Sequence, residues 1–426
     1  MDKKILDVKS FLDNAKSMYH AVALLEDMLK KDGYQRISES EGWELADGGK
    51  YYTVRGGSAL IAFQVPAENP AGFMIAASHS DRPTFKVKEN GETVGKYTQL
   101  QTEKYGGMLI APWLDRPLSI AGRVFVETEG GIESRLLDVD RDLLLIPNVA
   151  IHMNRKANEG ITWNPAVDTI PLAGTANAKG KLWPLIEKEA GGKVLGHDLY
   201  LYIRQQASIW GVEEEFLSAA ALDDLLCAWC CAQGLMKTKA EKAVPVLCVF
   251  DSEEVGSSSV QGAASTFLED VLTRICASFG WSKAQMLRRS FMLSADNAHA
   301  VHPNHPEYSD ANNAPVMGQG VVLKFNAAQR YTTDGGSAAV FRKICADAEV
   351  PVQTYYNRAD LPGGSTLGNI SLSQVSVPTA DIGIAQLAMH SCYETAAVAD
   401  IGHMENAVAC FFGAVMDGEY SVRTNW

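Results

Sequence analysis

Apolar residues recur at helical spacing near the amino terminus, where Ile5, Phe11, Leu12, Val22, Leu25 and Leu29 mark the inward stripes of two amphipathic helices. The period then changes to that of strands. YYTV and ALIAFQV flank Arg55-Gly56-Gly57-Ser58, the pattern of a β-hairpin closed by a glycine turn. The run FMIAAS from Phe73 is continuously apolar with small residues at its end, and it predicts a buried strand that delivers His79. From about Thr93 to Val212 short strands alternate with turns. SIAGRVFVETEGGIESRLLDV predicts a hairpin around Gly130-Gly131, and HDLYLYIRQ a further strand. After Glu213, long helical patterns alternate with the short apolar strands VPVLCVF, SFMLSA, VVLKF and VPTADIGIA.

This order predicts an α/β protein with a mixed central sheet flanked by helices. Residues 1–92 and 213–426 form one discontinuous unit, interrupted by a β-rich insertion over 93–212. A chain of 426 residues with 46% hydrophobic positions is long enough for two cores. The most apolar stretch, Phe216 to Met236, is split by Asp223 and Asp224, so it lacks the roughly 18 uncharged apolar residues of a spanning helix. Lys and Arg number 38 against 51 Asp and Glu, and the resulting charge of −13 repels phosphate backbones and anionic lipid. Nucleic acid and membrane are therefore not expected partners. The start MDKKILDVKSFLDNAK shows neither an apolar core segment nor a cleavage site of a secretory leader. With eight scattered cysteines, this predicts a cytoplasmic protein with reduced thiols. Cys227, Cys230 and Cys231 are expected to be buried helix residues, since no second ligand pair accompanies them.

In open α/β sheets ligands bind beyond the carboxyl ends of the strands. Four such positions carry metal-ligating residue types. His79 follows FMIAAS, Glu253-Glu254 follow VPVLCVF, Asp296 follows SFMLSA, and His390 lies shortly after VPTADIGIA. Asp223, within or at the start of the helix AALDDLLCAWCCA, is the fifth member. Singly, each has an ordinary explanation as a helix cap, a dipole-facing acid or a buried histidine bonded to backbone. Together, two histidines and three carboxylates at convergent strand ends supply one His and one carboxylate for each of two cations, with one shared Asp.

The strings ASHSDRPTFKVK, ALDDLL, FDSEEVGSSSVQGA, SADNAHAVHPN, GGSTLGNI and QLAMHSCYE, in that order over nearly the whole chain, resemble the aspartyl aminopeptidase family of metallopeptidases. The resemblance implies a zinc-peptidase type of α/β unit and two divalent metal ions, zinc with cobalt or manganese as alternatives. His79, Asp223 and Asp296 would hold one metal, and Asp223, Glu254 and His390 the other. Glu253 would be the general base that passes a proton from water to the leaving amine. Asp81, two residues beyond His79, would fix the tautomer of that imidazole. The chain departs from the family in carrying Asp224 where Asn is usual, Ser252 where His is common, and Arg82 in place of a small residue. Extra charge at Asp224 would retune metal preference, and Arg82 would alter the pocket.

The resemblance also implies peptide substrates with acidic first residues, read by Lys324 and Tyr331 of KFNAAQRY; Arg330 in the same string reads equally well as a solvated strand end. His152, in IPNVAIHMNR, would reach the active site of a neighbouring subunit, within dimers that assemble to a dodecamer. The glycines of Leu361-Pro362-Gly363-Gly364-Ser365-Thr366 are pocket-lining candidates, and His299 with His302, at helical spacing, are expected to be structural. Other readings remain open: a carboxypeptidase or deacylase on a similar two-metal scaffold, a glutamyl aminopeptidase-like enzyme, or a metal-free relative serving assembly or cargo binding.

Overall fold

The computed structural model describes residues 3–424. The two amino-terminal helices form at Lys3–Asn14 and Met18–Lys31, and their apolar stripes, Val8 to Leu12 and Val22 to Leu29, are buried. The hairpin pairs Lys50–Arg55 with Ala59–Gln64, closing at Arg55 and Ala59. Both strands join a nine-stranded mixed sheet. Its order is Gln35–Arg36, Lys50–Arg55, Ala59–Gln64, Val244–Phe250, Phe73–His79, Phe291–Ala295, Thr379–Gly383, Val321–Phe325 and Val352–Tyr356.

Four central strands run parallel: Phe73–His79 lies between Val244–Phe250 and Phe291–Ala295, and Thr379–Gly383 follows. They read as unbroken apolar runs because both faces are covered. Leu247 and Val249, Met74 and Ala76, and Leu293 face one core with the helices Lys3–Asn14, Met18–Lys31, Leu222–Lys237 and Val398–Phe412. Val246 and Cys248, with Phe73, Ile75 and Ala77, face a second core with the helix Phe267–Phe279. Each Leu or Phe so buried contributes roughly 1.5–3 kcal/mol. Helix Leu222–Lys237 is apolar on every side because it sits inside the first core. Cys227, Cys230 and Cys231 are buried there as free thiols, and burial pushes their pKa values up.

The β-rich unit is a six-stranded antiparallel sheet ordered Gly131–Asp138, Leu118–Thr128, Val194–Ile203, Thr84–Val94, Tyr97–Tyr105 and Leu172–Thr175, over its own core. Its limits differ from the 93–212 read from texture. Thr84–Val94 belongs to it through a hairpin pairing Thr84 with Tyr105, whereas Ser208–Trp210 pairs with Phe216–Ala219 outside it. Alternation along a strand shows that a sheet is being built, not which sheet. A third, five-stranded sheet joins Ser208–Trp210, Phe216–Ala219, Glu394–Ala397, Ala385–Leu387 and Ala298–His299, and sets Ala219 opposite Glu394. No described helix is long and apolar enough to cross a membrane.

Candidate metal centre

The parallel strands end side by side, so the residues just beyond them converge. His79 is the last residue of its strand, paired with Phe250 of the next, and its side chain is only 1% exposed. Asp296 follows Ala295 at a tight crossing: a Cβ on Gly383 would meet the Asp296 carbonyl oxygen at 2.0 Å, which only glycine allows. Asp223 opens the helix Leu222–Lys237 but with φ −84° and ψ 108°, outside helical geometry. As a first-turn residue it has no acceptor for its N–H within the helix, and it donates to the Glu394 carboxylate at 3.0 Å.

The Asp223 carboxylate faces both histidines. Oδ1 lies 3.6 Å from His79 Nε2, and Oδ2 lies 3.5 Å from His390 Nε2. Glu254 Oε2 is 3.4 Å from the same His390 nitrogen. Donor atoms of His79, Asp223 and Asp296 lie within 4.8 Å of one another, as do those of Asp223, Glu254 and His390. Among the described residues, Asp223 Oδ1 and Glu254 Oε1 are buried without a hydrogen-bond partner. Such atoms cost on the order of 1–3 kcal/mol each, more when charged, unless something binds them. Imidazole nitrogens and carboxylate oxygens around one shared Asp are a donor set that fits divalent zinc.

Electrostatics points the same way. Burial, with Asp296, Asp81 and Asp223 nearby, pushes Glu253 up to about 8, and burial with Asp223 beside it pushes Asp296 up to about 6. Burial would also raise Asp223, yet His390 and His79 outweigh it and hold that carboxyl below its ordinary range. A cluster that must take up protons to remain buried is one that a cation would relax.

Asp81 organises the site. Its carbonyl oxygen lies 3.1 Å from His79 Nδ1, while Oδ1 accepts the Glu253 N–H and Oδ2 the Glu254 N–H, each at 3.1 Å. Asp224 accepts the His79 N–H at 3.2 Å. Burial, then Asp296 and Asp223, raises its carboxyl well above the ordinary range, against a lowering by His79. Arg82 points elsewhere: its guanidinium donates to the carbonyls of Ala15, at 2.7 Å, and Lys16. Ser252 accepts from Ser259 at 2.8 Å.

Beside the cluster lies a cavity of about 320 Å³ lined by His79, Asp223, Glu253, Asp296, Lys324, Tyr331 and His390, and also by His299, Tyr355 and Gly364-Ser365-Thr366. Lys324 is 2% exposed; its Nζ donates to the Asp296 carbonyl at 2.7 Å and lies 5.2 Å from the Tyr331 ring centre. Burial would lower its pKa, but Asp296 and Asp381 raise it, so it stays a cation. Arg330 is exposed and donates to Gly363. His302 is exposed outside any helix, so the helical face expected for it with His299 does not form. His152 is exposed on a turn of the β-rich unit and does not line this cavity.

Sequence reasoning passed over Glu394, Tyr105 and Asn297. Glu394 accepts the N–H groups of Asp223 and, at 2.7 Å, of His390. Its signal was its place four residues after His390 in QLAMHSCYE. Tyr105 donates to Asp81, and Asn297 binds the Leu222 carbonyl and Gln386.

Residues 11–412 match the model of a family described as aminopeptidase I zinc metalloprotease (M18). A probable M18 family aminopeptidase 2 of Clostridium acetobutylicum is 41% identical over 96% of this chain and 98% of its own length. One of the same description from Pseudomonas aeruginosa is 39% identical over 95% and 96%. Among solved structures, a chain in the cryo-EM structure of the Ape4 and Nbr1 complex superposes with TM-score 0.91 at 35% identity, over 96% of this chain and 85% of that one. A structure described as the S. cerevesiae mApe1 dodecamer gives 0.84 at 28% identity, over 96% of both chains.

Proposed function

The chain belongs to the aminopeptidase I zinc metalloprotease (M18) family, a family of metal-dependent aminopeptidases that hydrolyse peptides, and we propose that it does so with two divalent cations, Glu253 as general base and a preference for acidic first residues. The observation that carries this reading is the Asp223 carboxylate with one oxygen toward each histidine, at 3.6 and 3.5 Å. His79 and Asp296 would hold one cation with it, and Glu254 and His390 the other. Bound there, the cations would polarise the scissile carbonyl and make water more acidic.

The chain's own groups do the rest. Glu253 lines the cavity; its carboxylate also lies within reach of His79 and Glu254, but the two seats around Asp223 are complete without it, which leaves it to accept a proton from water and return it to the departing amine. Asp81 orients it through the Glu253 N–H. Lys324 keeps its charge at the cavity wall beside Tyr331, which supports attraction of an acidic side chain. His152 would serve a neighbouring subunit. Its exposure beside exposed Val149, Ile151 and Met153 supports a contact between copies, and one solved relative is described as a dodecamer. We read the β-rich unit as the dimer-forming part of such an assembly.

The test is turnover on a panel of aminoacyl amides after chelation and after adding back zinc, cobalt or manganese. Asp and Glu amides should be cleaved fastest, and Lys324→Met should reduce their advantage over Leu by about tenfold, as expected for a buried charged hydrogen bond. A wild type that prefers neutral or basic first residues sinks the acidic preference, and cleavage of amine-blocked peptides would point to a carboxypeptidase or deacylase.

A further inference from the structure

The second metal seat rests on a segment of the β-rich unit that no ligand argument calls for. Tyr105 ends the strand Tyr97–Tyr105 of that unit, with its ring edge-on to Tyr200 of the same sheet, centroids 5.6 Å apart. Its hydroxyl donates to Asp81 Oδ2 at 2.8 Å, the oxygen that also accepts the Glu254 N–H. The chain then passes directly over the ligands. Gly106 has φ +76°, and a Cβ there would lie 3.1 Å from Glu254 Cβ and 3.3 Å from its carbonyl oxygen. A Cβ on Gly107 would lie 3.9 Å from His390 Nδ1, and the Leu109 N–H donates to the His390 carbonyl at 3.0 Å. Cys392, two residues past His390, donates to the Pro112 carbonyl and packs into the core of the β-rich unit.

We propose that residues 105–112 are a positioning strap by which the β-rich unit seats Glu254 and His390. His390 needs such support. It has φ +66° on a loop, and its side chain is 36% exposed. Glu394 holds its N–H from one side, and the strap holds its carbonyl and the neighbouring Cys392 from the other. The strap makes no comparable backbone contact with Asp296, whose neighbours come from the central sheet. The direct contacts of the β-rich unit thus fall on Glu254 and His390, and it reaches His79 only indirectly, through Tyr105 and Asp81. The inference rests on the two-metal reading, and its test separates the two.

The metal-free full-length protein is titrated with cobalt and followed by visible absorption, for wild type, Gly106→Ala and Tyr105→Phe, alongside turnover of the zinc-loaded forms. Gly106→Ala should weaken one cobalt equivalent by about tenfold and shift its absorption bands, leaving the other equivalent unchanged, because outer contacts of ligands typically count for 10–100-fold. Its kcat should fall with KM nearly constant. Tyr105→Phe keeps the ring packed on Tyr200 and should also lower kcat and shift the same bands. If Gly106→Ala does not fold, Tyr105→Phe decides. Wild-type spectra and affinities in the folded variants overturn the strap, and so does equal weakening of both equivalents together with a lower Tm of the metal-free protein. If the wild type takes up a single equivalent, the two-metal reading fails, and the strap stands or falls on whether that equivalent weakens.

Discussion

The two halves of the proposed metal centre share Asp223 but are built differently. His79 and Asp296 sit at the ends of neighbouring parallel strands, with side chains 1% and 11% exposed. His390 lies on a loop with its side chain 36% exposed, and Glu254 on a single turn of 3₁₀ helix after Phe250. One half inherits its geometry from the sheet ladder. The other depends on Glu394 and a segment of the β-rich unit, while Asp81 touches both halves, through His79 Nδ1 and the Glu254 N–H. A sheet end is positioned by many cooperative bonds, whereas a loop ligand is only as fixed as its few outer partners. The halves should therefore differ in affinity and ease of exchange while acting on one substrate.

Removing the shared group breaks the comparison altogether. Asp223→Ala should abolish binding of both metals and leave turnover at background, read by metal analysis and by the aminoacyl amide assay. Glu253→Gln should leave both halves loaded while kcat falls by about 10²–10⁴, the usual worth of a general base. A loaded Glu253→Gln enzyme with wild-type kcat would remove Glu253 from that role.

The difference between the halves is sharpened by graded chelation. One metal equivalent should leave at about tenfold lower chelator concentration than the other. His390→Ala should remove the labile one and keep the tight one, whereas His79→Ala should disturb the tight one. Simultaneous loss of both in wild type would show that the halves are a single unit.

The smallest effect is the pH dependence of the metal-free protein. Glu253 and Asp296 are held at about 8 and about 6, against ordinary values of 4.5 and 3.8. The native state thus keeps protons that the unfolded chain has released, and stability falls as pH rises through that window. His79 acts in the same direction. Burial lowers it, but Asp223 and Asp81 raise it above normal, so its contribution is present at low pH and lost as pH rises. The chelated protein should melt lower at about pH 8.5 than at about pH 5.5, and added zinc should reverse the order by displacing those protons. An unchanged or rising Tm would show that these groups do not titrate as their burial implies.

Most elements were legible because their causes are local. The helical stripes of residues 5–29, the hairpin at Arg55–Ser58 and the apolar strands before His79, Glu253 and Asp296 each follow from a repeat in the chain. The limits of the β-rich unit were not, since Thr84–Val94 carries the same alternation whichever sheet it joins. Nor was the placement of two departures from the family legible: Asp224 is buried with its carboxylate on the His79 N–H, and Arg82 donates to the carbonyls of Ala15 and Lys16, just past the first helix.

By itself the sequence determined the inventory: which residues follow strands, which of them can ligate, and which string of motifs they stand in. That information is carried by residue type and order, and folding does not alter it. Only the tertiary structure decided the partners. Glu394 is 171 residues from Asp223, and Leu109 is far along the chain from His390, yet each pair is joined by one hydrogen bond. Such contacts leave no period in the sequence, because an N–H that abandons its helix or loop can be met by any acceptor the fold brings within reach.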